Sequence, residues 1–162
     1  MTNSSLHVLL ADDDEDDRVF FQEALQELPA CIRLTTVKDG NELMQWLVQQ
    51  KPSLPDLLFL DLNMPRKNGH ECLREIKQDP ELQSLPVIIL STAVNEQEMA
   101  ELYAIGAWHY IQKPDTCGHL SKIVQQVFQL SQEKNLKQPP KDDFILFCHP
   151  YVNHRYEYRG TI

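Results

Sequence analysis

The chain has 162 residues, 42% of them hydrophobic and 24% charged, which suits one compact domain with an extension. Its net charge of −9 leaves no basic footprint with which to hold nucleic acid. No secretory pattern opens the chain and no apolar run approaches the ~20 residues that a membrane helix needs, so no membrane contact and a cytoplasmic location are expected.

Short apolar runs alternate with longer amphipathic segments. The first run, Leu6 to Ala11, precedes six consecutive acids from Asp12 to Asp17. Glu15 to Leu28 then reads as a helix, because Phe21, Leu25 and Leu28 share a face beside Ala24. Strands are expected at Ile32–Val37, Leu57–Leu60, Val87–Leu90 and Trp108–Ile111. Helices are expected over Asn41–Gln50, His70–Gln78, Glu96–Ile105 and Leu120–Lys134, the last with a stripe of Ile123, Val127 and Leu130 widened by Val124 and Phe128. The first four runs are almost continuously apolar or β-branched, as strands covered on both faces are. Asp39-Gly40 and Asn68-Gly69 mark two helix starts, and Asp79-Pro80 marks a helix end. Strict alternation of five strand-helix pairs implies an α/β doubly wound fold, (βα)5, with a five-stranded parallel sheet.

In such a sheet ligands sit beyond the carboxyl ends of the strands. Strand one ends at Asp12, Asp13 and Asp14, and strand three at Asp61. Strands four and five end at Ser91 and Lys113. Carboxylates, a hydroxyl and an ammonium therefore converge on one rim. That combination suits phosphoryl transfer to a carboxylate, with a metal such as magnesium held by oxygen ligands. The lysine is a mobile cation, and the hydroxyl can bond a phosphate oxygen.

Blander roles exist for each residue alone. An acidic run can simply begin a helix, where the dipole favours negative charge by ~0.3–1 kcal/mol. Asp61 before Leu62 could open a turn, Ser91 could be a strand-end hydroxyl, and Lys113 could face solvent. All four at successive strand tips argue for a site. Asp12, Asp14, Asp16 and Glu23 also fit the first, third, fifth and twelfth positions of an EF-hand loop. The sixth position, which needs glycine, is Asp17, and the preceding "LHVLL" reads as a strand, so that pattern fails.

With "LLADDD", "LDLNMPRKNG", "VIILSTA" and "YIQKP" in this order, residues 5–134 resemble a response regulator receiver domain of two-component signalling. The resemblance implies a flavodoxin-like receiver fold in which Asp61 accepts a phosphoryl group from the phosphohistidine of a sensor histidine kinase or phosphotransfer protein. It implies magnesium bound by Asp12, Asp13, Asp61 and the backbone carbonyl of Asn63. Lys113 would pair with Asp61 or its phosphoryl group, and its bond to Pro114 is often cis in that family. Ser91 would move to bond the phosphoryl group and Tyr110 would swing inward as the switch. The family often has a third acid at the position of Asp14 without a fixed role, and Glu15, Asp16 and Asp17 are expected to line the helix start. Ser91 stands where threonine is commoner. The resemblance implies that the position of Ala93, with that of Asn63, tunes autodephosphorylation, so a polar residue at 93 is expected to change the decay rate of the phosphorylated protein.

Residues 135–162 read as a C-terminal extension. Pro139-Pro140 breaks any continuing helix. Phe144, Phe147, Tyr151, Tyr156 and Tyr158 make it too aromatic for an ordinary linker. It is expected to dock on its own domain, a second copy or a partner, and a dimerisation arm would make the protein a homodimer. Cys148, His149 and His154 lack a second matched cluster for a metal site. The four widely spaced cysteines read as reduced thiols. The tail is too short for an output domain. The chain thus resembles stand-alone regulators, including chemotaxis-type ones and those paired with phytochrome-like kinases, and is not expected to be an enzyme. Its output would be binding of a downstream protein by the face containing Trp108 and Tyr110. Two alternatives remain: an aspartyl-phosphate hydrolase of haloacid dehalogenase type, disfavoured by Asn63 where a second acid belongs, and a phosphate-independent interaction module.

Overall fold

The computed structural model describes residues 5–133 and 136–147. Strands β1 (Leu6–Ala11), β2 (Ile32–Val37), β3 (Leu57–Asp61), β4 (Val87–Ser91) and β5 (His109–Gln112) alternate with helices α1 (Glu15–Gln26), α2 (Gly40–Gln50), α3 (Gly69–Gln78), α4 (Glu96–Ile105) and α5 (Cys117–Ser131). A short strand β6 (Ile145–Leu146) follows a 3-10 turn. All strands are parallel, in the order β2-β1-β3-β4-β5-β6. The sheet thus has six strands rather than the expected five. The added strand comes from the segment that sequence assigned to the extension: Ile145 and Leu146 register against Tyr110 and Ile111. Two residues of strand carry too little periodicity to be separated from a generally apolar tail.

Alternation along the buried strands divides the core into two layers. Val8, Leu10, Phe59, Ile88 and Ile111 face the layer that contains Phe21 and Leu25 of α1 and Val124 and Val127 of α5. Leu9, Leu58, Leu60, Ile89 and Tyr110 face the opposite layer, which holds Leu43 of α2, Leu73 of α3 and Leu102 of α4. Every residue of β3 and β4 is buried, which accounts for their unbroken apolar sequences.

Polar residues set the helix starts. The Asp14 carboxylate accepts from the amides of Asp16 and Asp17, which gives this residue the role that its sequence left open: it caps α1. Asp39 caps α2, Asn95 caps α4 and Thr116 caps α5, while Asn68 and Glu71 form a capping box on α3. Helix α1 stops at Gln26, short of the expected Leu28. Pro29 disfavours helical backbone at the residue before it. The order of strands changes direction between β1 and β3, so the loops after those strands frame the crevice where a doubly wound sheet binds its ligand.

Candidate functional site

Three of the expected residues come together as carboxylates. Asp12, Asp13 and Asp61 each offer an oxygen, and these oxygens all lie within 4.8 Å of one another. Asp12 directly follows β1 and is 1% exposed, whereas Asp61 closes β3 and is 5% exposed. Asp13 is exposed at the mouth. Three converging carboxylates of this kind suit a hard divalent cation, which takes oxygen donors and keeps part of its water shell. Asn63 stands two residues beyond Asp61, and its amide donates to Asp61 Oδ1 at 3.3 Å.

Lys113 reaches over this group from the end of β5. Its Nζ donates to Asp12 Oδ2 at 2.9 Å and to Asp17 Oδ2 at 2.8 Å, and lies 3.7 Å from Asp61 Oδ2. The lysine is therefore shared, and its short bonds go to Asp12 and Asp17 rather than to Asp61. Asp17 is the contact that sequence missed. Its signal was positional: with Asp14 as the cap, Asp17 falls one helical turn later on the rim side. The Lys113–Pro114 bond is trans, and the cis peptide among the described residues is Lys51–Pro52. A cavity of about 270 Å³ beside the lysine is lined by Asp17, Phe20, Pro114 and Asp115 among others.

Burial governs the ionisation of this rim. It raises the Asp61 carboxyl to about 6, against the opposing pull of Lys113 and with help from the charges of Asp12 and Asp13. Burial also raises Asp12, with Lys113 again opposing. Burial on its own would lower Lys113, but hydrogen bonds from Asp17 and Asp12 outweigh it, and the net shift is upward. The ammonium therefore stays charged across the physiological range.

The sign for stability follows directly. A carboxyl with its pKa raised in the folded state binds its proton more tightly there than in the unfolded chain. Its contribution is present below the unfolded value of 3.8 and is lost as pH rises through about 6. Asp61→Asn is thus expected to be more stable than the parent at pH 8 by roughly 1–2 kcal/mol, after allowance for solvent screening at the open rim. The difference should shrink towards pH 4. Urea unfolding at both pH values, with a chelator present, measures it.

Ser91 and Tyr110 complete the set. Ser91 ends β4 at 3% exposure, and its hydroxyl accepts from the Ala93 amide at 3.3 Å. Its carbonyl also accepts from the Lys113 amide at 2.7 Å, tying the ends of β4 and β5 together. Tyr110 is fully buried, and its hydroxyl donates to the Ala93 carbonyl at 2.6 Å. The expected switch tyrosine already points inward in this structure. Burial raises its phenol pKa, with the Ser91 side chain opposing. Cys148, His149, His154, Tyr151, Tyr156 and Tyr158 lie outside the described residues.

Fold and rim define an α/β protein of the doubly wound class with a carboxylate-lysine pocket at the ends of β1, β3, β4 and β5. The chain belongs to the response regulator receiver domain family of two-component signalling: the family model of that description matches residues 8–125. Response regulator Rcp1 of Synechocystis sp. is 36% identical over 124 residues, covering 74% of this chain and 84% of that protein. The phosphorylated cyanobacterial phytochrome response regulator RcpA has a crystal structure that superposes with a TM-score of 0.73 at 35% identity, over 82% of this chain and 97% of that one. The Mn(2+)-bound form of Rcp1 gives a TM-score of 0.69 at 32% identity, over 83% of this chain and 99% of that one. Among the described residues no helix is long and apolar enough to cross a membrane.

Proposed function

We propose that the chain is a cytoplasmic phosphoacceptor switch in which Asp61 takes a phosphoryl group from the phosphohistidine of a sensor kinase or phosphotransfer protein. The observation that carries this reading is the buried Asp61 carboxyl beside Lys113, within reach of the Asp12 and Asp13 carboxylates. An Asp61 oxygen attacks phosphorus, the phosphorus–nitrogen bond of the donor breaks, and the departing imidazole keeps the electron pair and takes up a proton. The product is an acyl phosphate on Asp61.

Each neighbour has a part in that step. Asp12, Asp13 and Asp61, with the Asn63 carbonyl, would hold a divalent cation, for which magnesium is the physiological choice. Bound there, the cation supplies positive charge against the phosphoryl oxygens. Lys113 neutralises the carboxylates at rest and is placed to take a phosphoryl oxygen once one arrives. The Ser91 hydroxyl is a second donor for that oxygen, and Tyr110 follows it through their common contact at Ala93. Residues 5–134 would form the receiver unit and residues 135–162 an extension, of which Ile145–Leu146 joins the sheet as β6. The α4–β5–α5 face would carry the signal to a downstream protein target or to a second copy.

Two assays test the reading. The chain should take up one phosphoryl group from a phosphorylated histidine phosphotransfer protein and should show no sustained turnover of a small phosphoester. Continued turnover would mark a hydrolase of haloacid dehalogenase type instead. Ala93 is exposed beside Ser91, so Ala93→Glu is expected to shift the decay of the phosphorylated form by several-fold. An identical decay rate would remove Ala93 from the account.

A further inference from the structure

The outer edge of the sheet is held by the chain itself, at the strand that carries Tyr110. Tyr110 donates its amide to the Phe144 carbonyl at 3.0 Å, and buried His109 contacts the same carbonyl through Nδ1 at 3.2 Å. The Phe144 ring is 3% exposed and stands 6.2 Å from the Tyr110 ring and 5.2 Å, edge-on, from Tyr103 of α4. The residues before it are fastened to the same corner. Tyr103 donates its hydroxyl to the Pro139 carbonyl at 2.8 Å, and Trp108 Nε1 donates to the Lys137 carbonyl at 3.3 Å. The Gln138 side chain donates through Nε2 to the carbonyls of Tyr103 and Ala107, both at 2.7 Å. On its inner side Tyr110 holds the Ala93 carbonyl, whose residue also donates its amide to Ser91.

These contacts form one chain from the tail to the rim: Phe144 against Tyr110, Tyr110 on Ala93, Ala93 on Ser91. We propose that Phe144 is a positioning residue for the phosphoacceptor site. Its ring backs Tyr110 and holds it inward before any phosphoryl group arrives, which presets the β4–α4 loop that presents Ser91. The described part of the tail therefore acts as an internal clamp on β5, and the switch operates from a biased starting position. The physical reasoning is a population argument: the Phe144 ring, 6.2 Å from the Tyr110 ring, supplies packing contacts to the inward tyrosine that it would lose on turning outward, so the inward rotamer is favoured without phosphate. The inference rests on the proposed function only for what the rim does once preset.

Hydrogen exchange by mass spectrometry on the full chain, with no phosphodonor present, tests the clamp independently of phosphorylation. Phe144→Ala should raise exchange in residues 91–96 by roughly ten-fold or more, with protection in β1 and β3 unchanged. If residues 140–146 loosen while residues 91–96 exchange at the parent rate, Phe144 is mere packing and the proposal falls. Should protection be lost in β1 and β3 as well, Phe144→Leu, which keeps most of the apolar volume, carries the test: residues 91–96 must exchange roughly three-fold faster, and parental exchange there refutes the clamp. Phosphorylation read in parallel by intact mass separates the two ideas. A parent chain that takes up no phosphoryl group removes the phosphoacceptor reading and leaves the exchange result to decide the clamp on its own.

Discussion

Lys113→Met is expected to lose phosphoryl acceptance by at least roughly a hundred-fold, the size of effect seen when one preorganised charge-stabilising donor is removed from a transfer site. The same change should tighten divalent-cation binding. In the parent, the Lys113 ammonium sits on Asp12 and Asp17 and close to Asp61, so it competes with a metal for the same negative charge. Without it, the buried carboxylate of Asp12 and the carboxyl of Asp61 face each other with no cation between them. Removing one partner of a well-buried ion pair costs about 3–5 kcal/mol. Here the rim is open at Asp13 and the carboxylates can take up protons, so a loss of about 1–3 kcal/mol at pH 8 is expected. Added divalent cation should restore part of it. Titration calorimetry with magnesium and urea unfolding with and without it measure both effects. Weaker metal binding in the variant would show that the lysine supports the cation instead of competing with it.

The second large effect is expected at Gly69. A Cβ there would lie 2.5 Å from the Asp61 carbonyl oxygen and 2.8 Å from Leu62 Cα, both of them backbone atoms without rotamer freedom. Gly69 also donates its amide to the Leu62 carbonyl at 3.0 Å, which folds the β3–α3 loop back on the end of β3. Gly69→Ala must therefore push the Asp61 tip of β3 or unseat the start of α3. A stability loss of about 1–3 kcal/mol is expected from this overpacking, together with a slower phosphorylation rate because Asp61 itself is displaced. Gly118 is the internal control, since nothing lies within 4 Å of a Cβ built there. Gly118→Ala, inside α5, should be neutral or slightly stabilising. Equal urea midpoints for the Gly69 and Gly118 variants would contradict the close approach.

The pattern of what sequence revealed has physical causes. Strands β1 and β2 were legible to the residue because runs that are apolar or β-branched but for His7 and Arg33 end at charged or turn residues, and β3 and β4 extend one residue past the expected run, to Asp61 and Ser91. Strand β5 begins one residue later than its apolar run, at His109, and ends at Gln112. Helix α5 begins at Cys117, three residues before the expected Leu120, because the Thr116 hydroxyl caps it and neither Cys117 nor Gly118 signals a helix. The convergence of Asp12, Asp13, Asp61, Ser91 and Lys113 was legible because parallel strands bring their carboxyl ends to one side. What pairs with Lys113 was not, since its reach to Asp12 and Asp17 depends on how α1 leaves the sheet. The left-handed backbone of Arg66, at φ 68°, is equally silent in "MPRKNG". The tail was read as aromatic and ready to dock, but where its described residues, 136–147, pack required the three-dimensional edge of β5.

The central claim is that Asp61 is the phosphoacceptor of a metal-assisted switch. Intact mass spectrometry after incubation with a small acyl-phosphate donor addresses it directly, with magnesium, with a chelator, and with Asp61→Asn. The account predicts a gain of one phosphoryl group in the parent that requires magnesium and is absent from Asp61→Asn. A phosphoryl group that appears on Asp61→Asn, or that appears equally well in chelator, would contradict it.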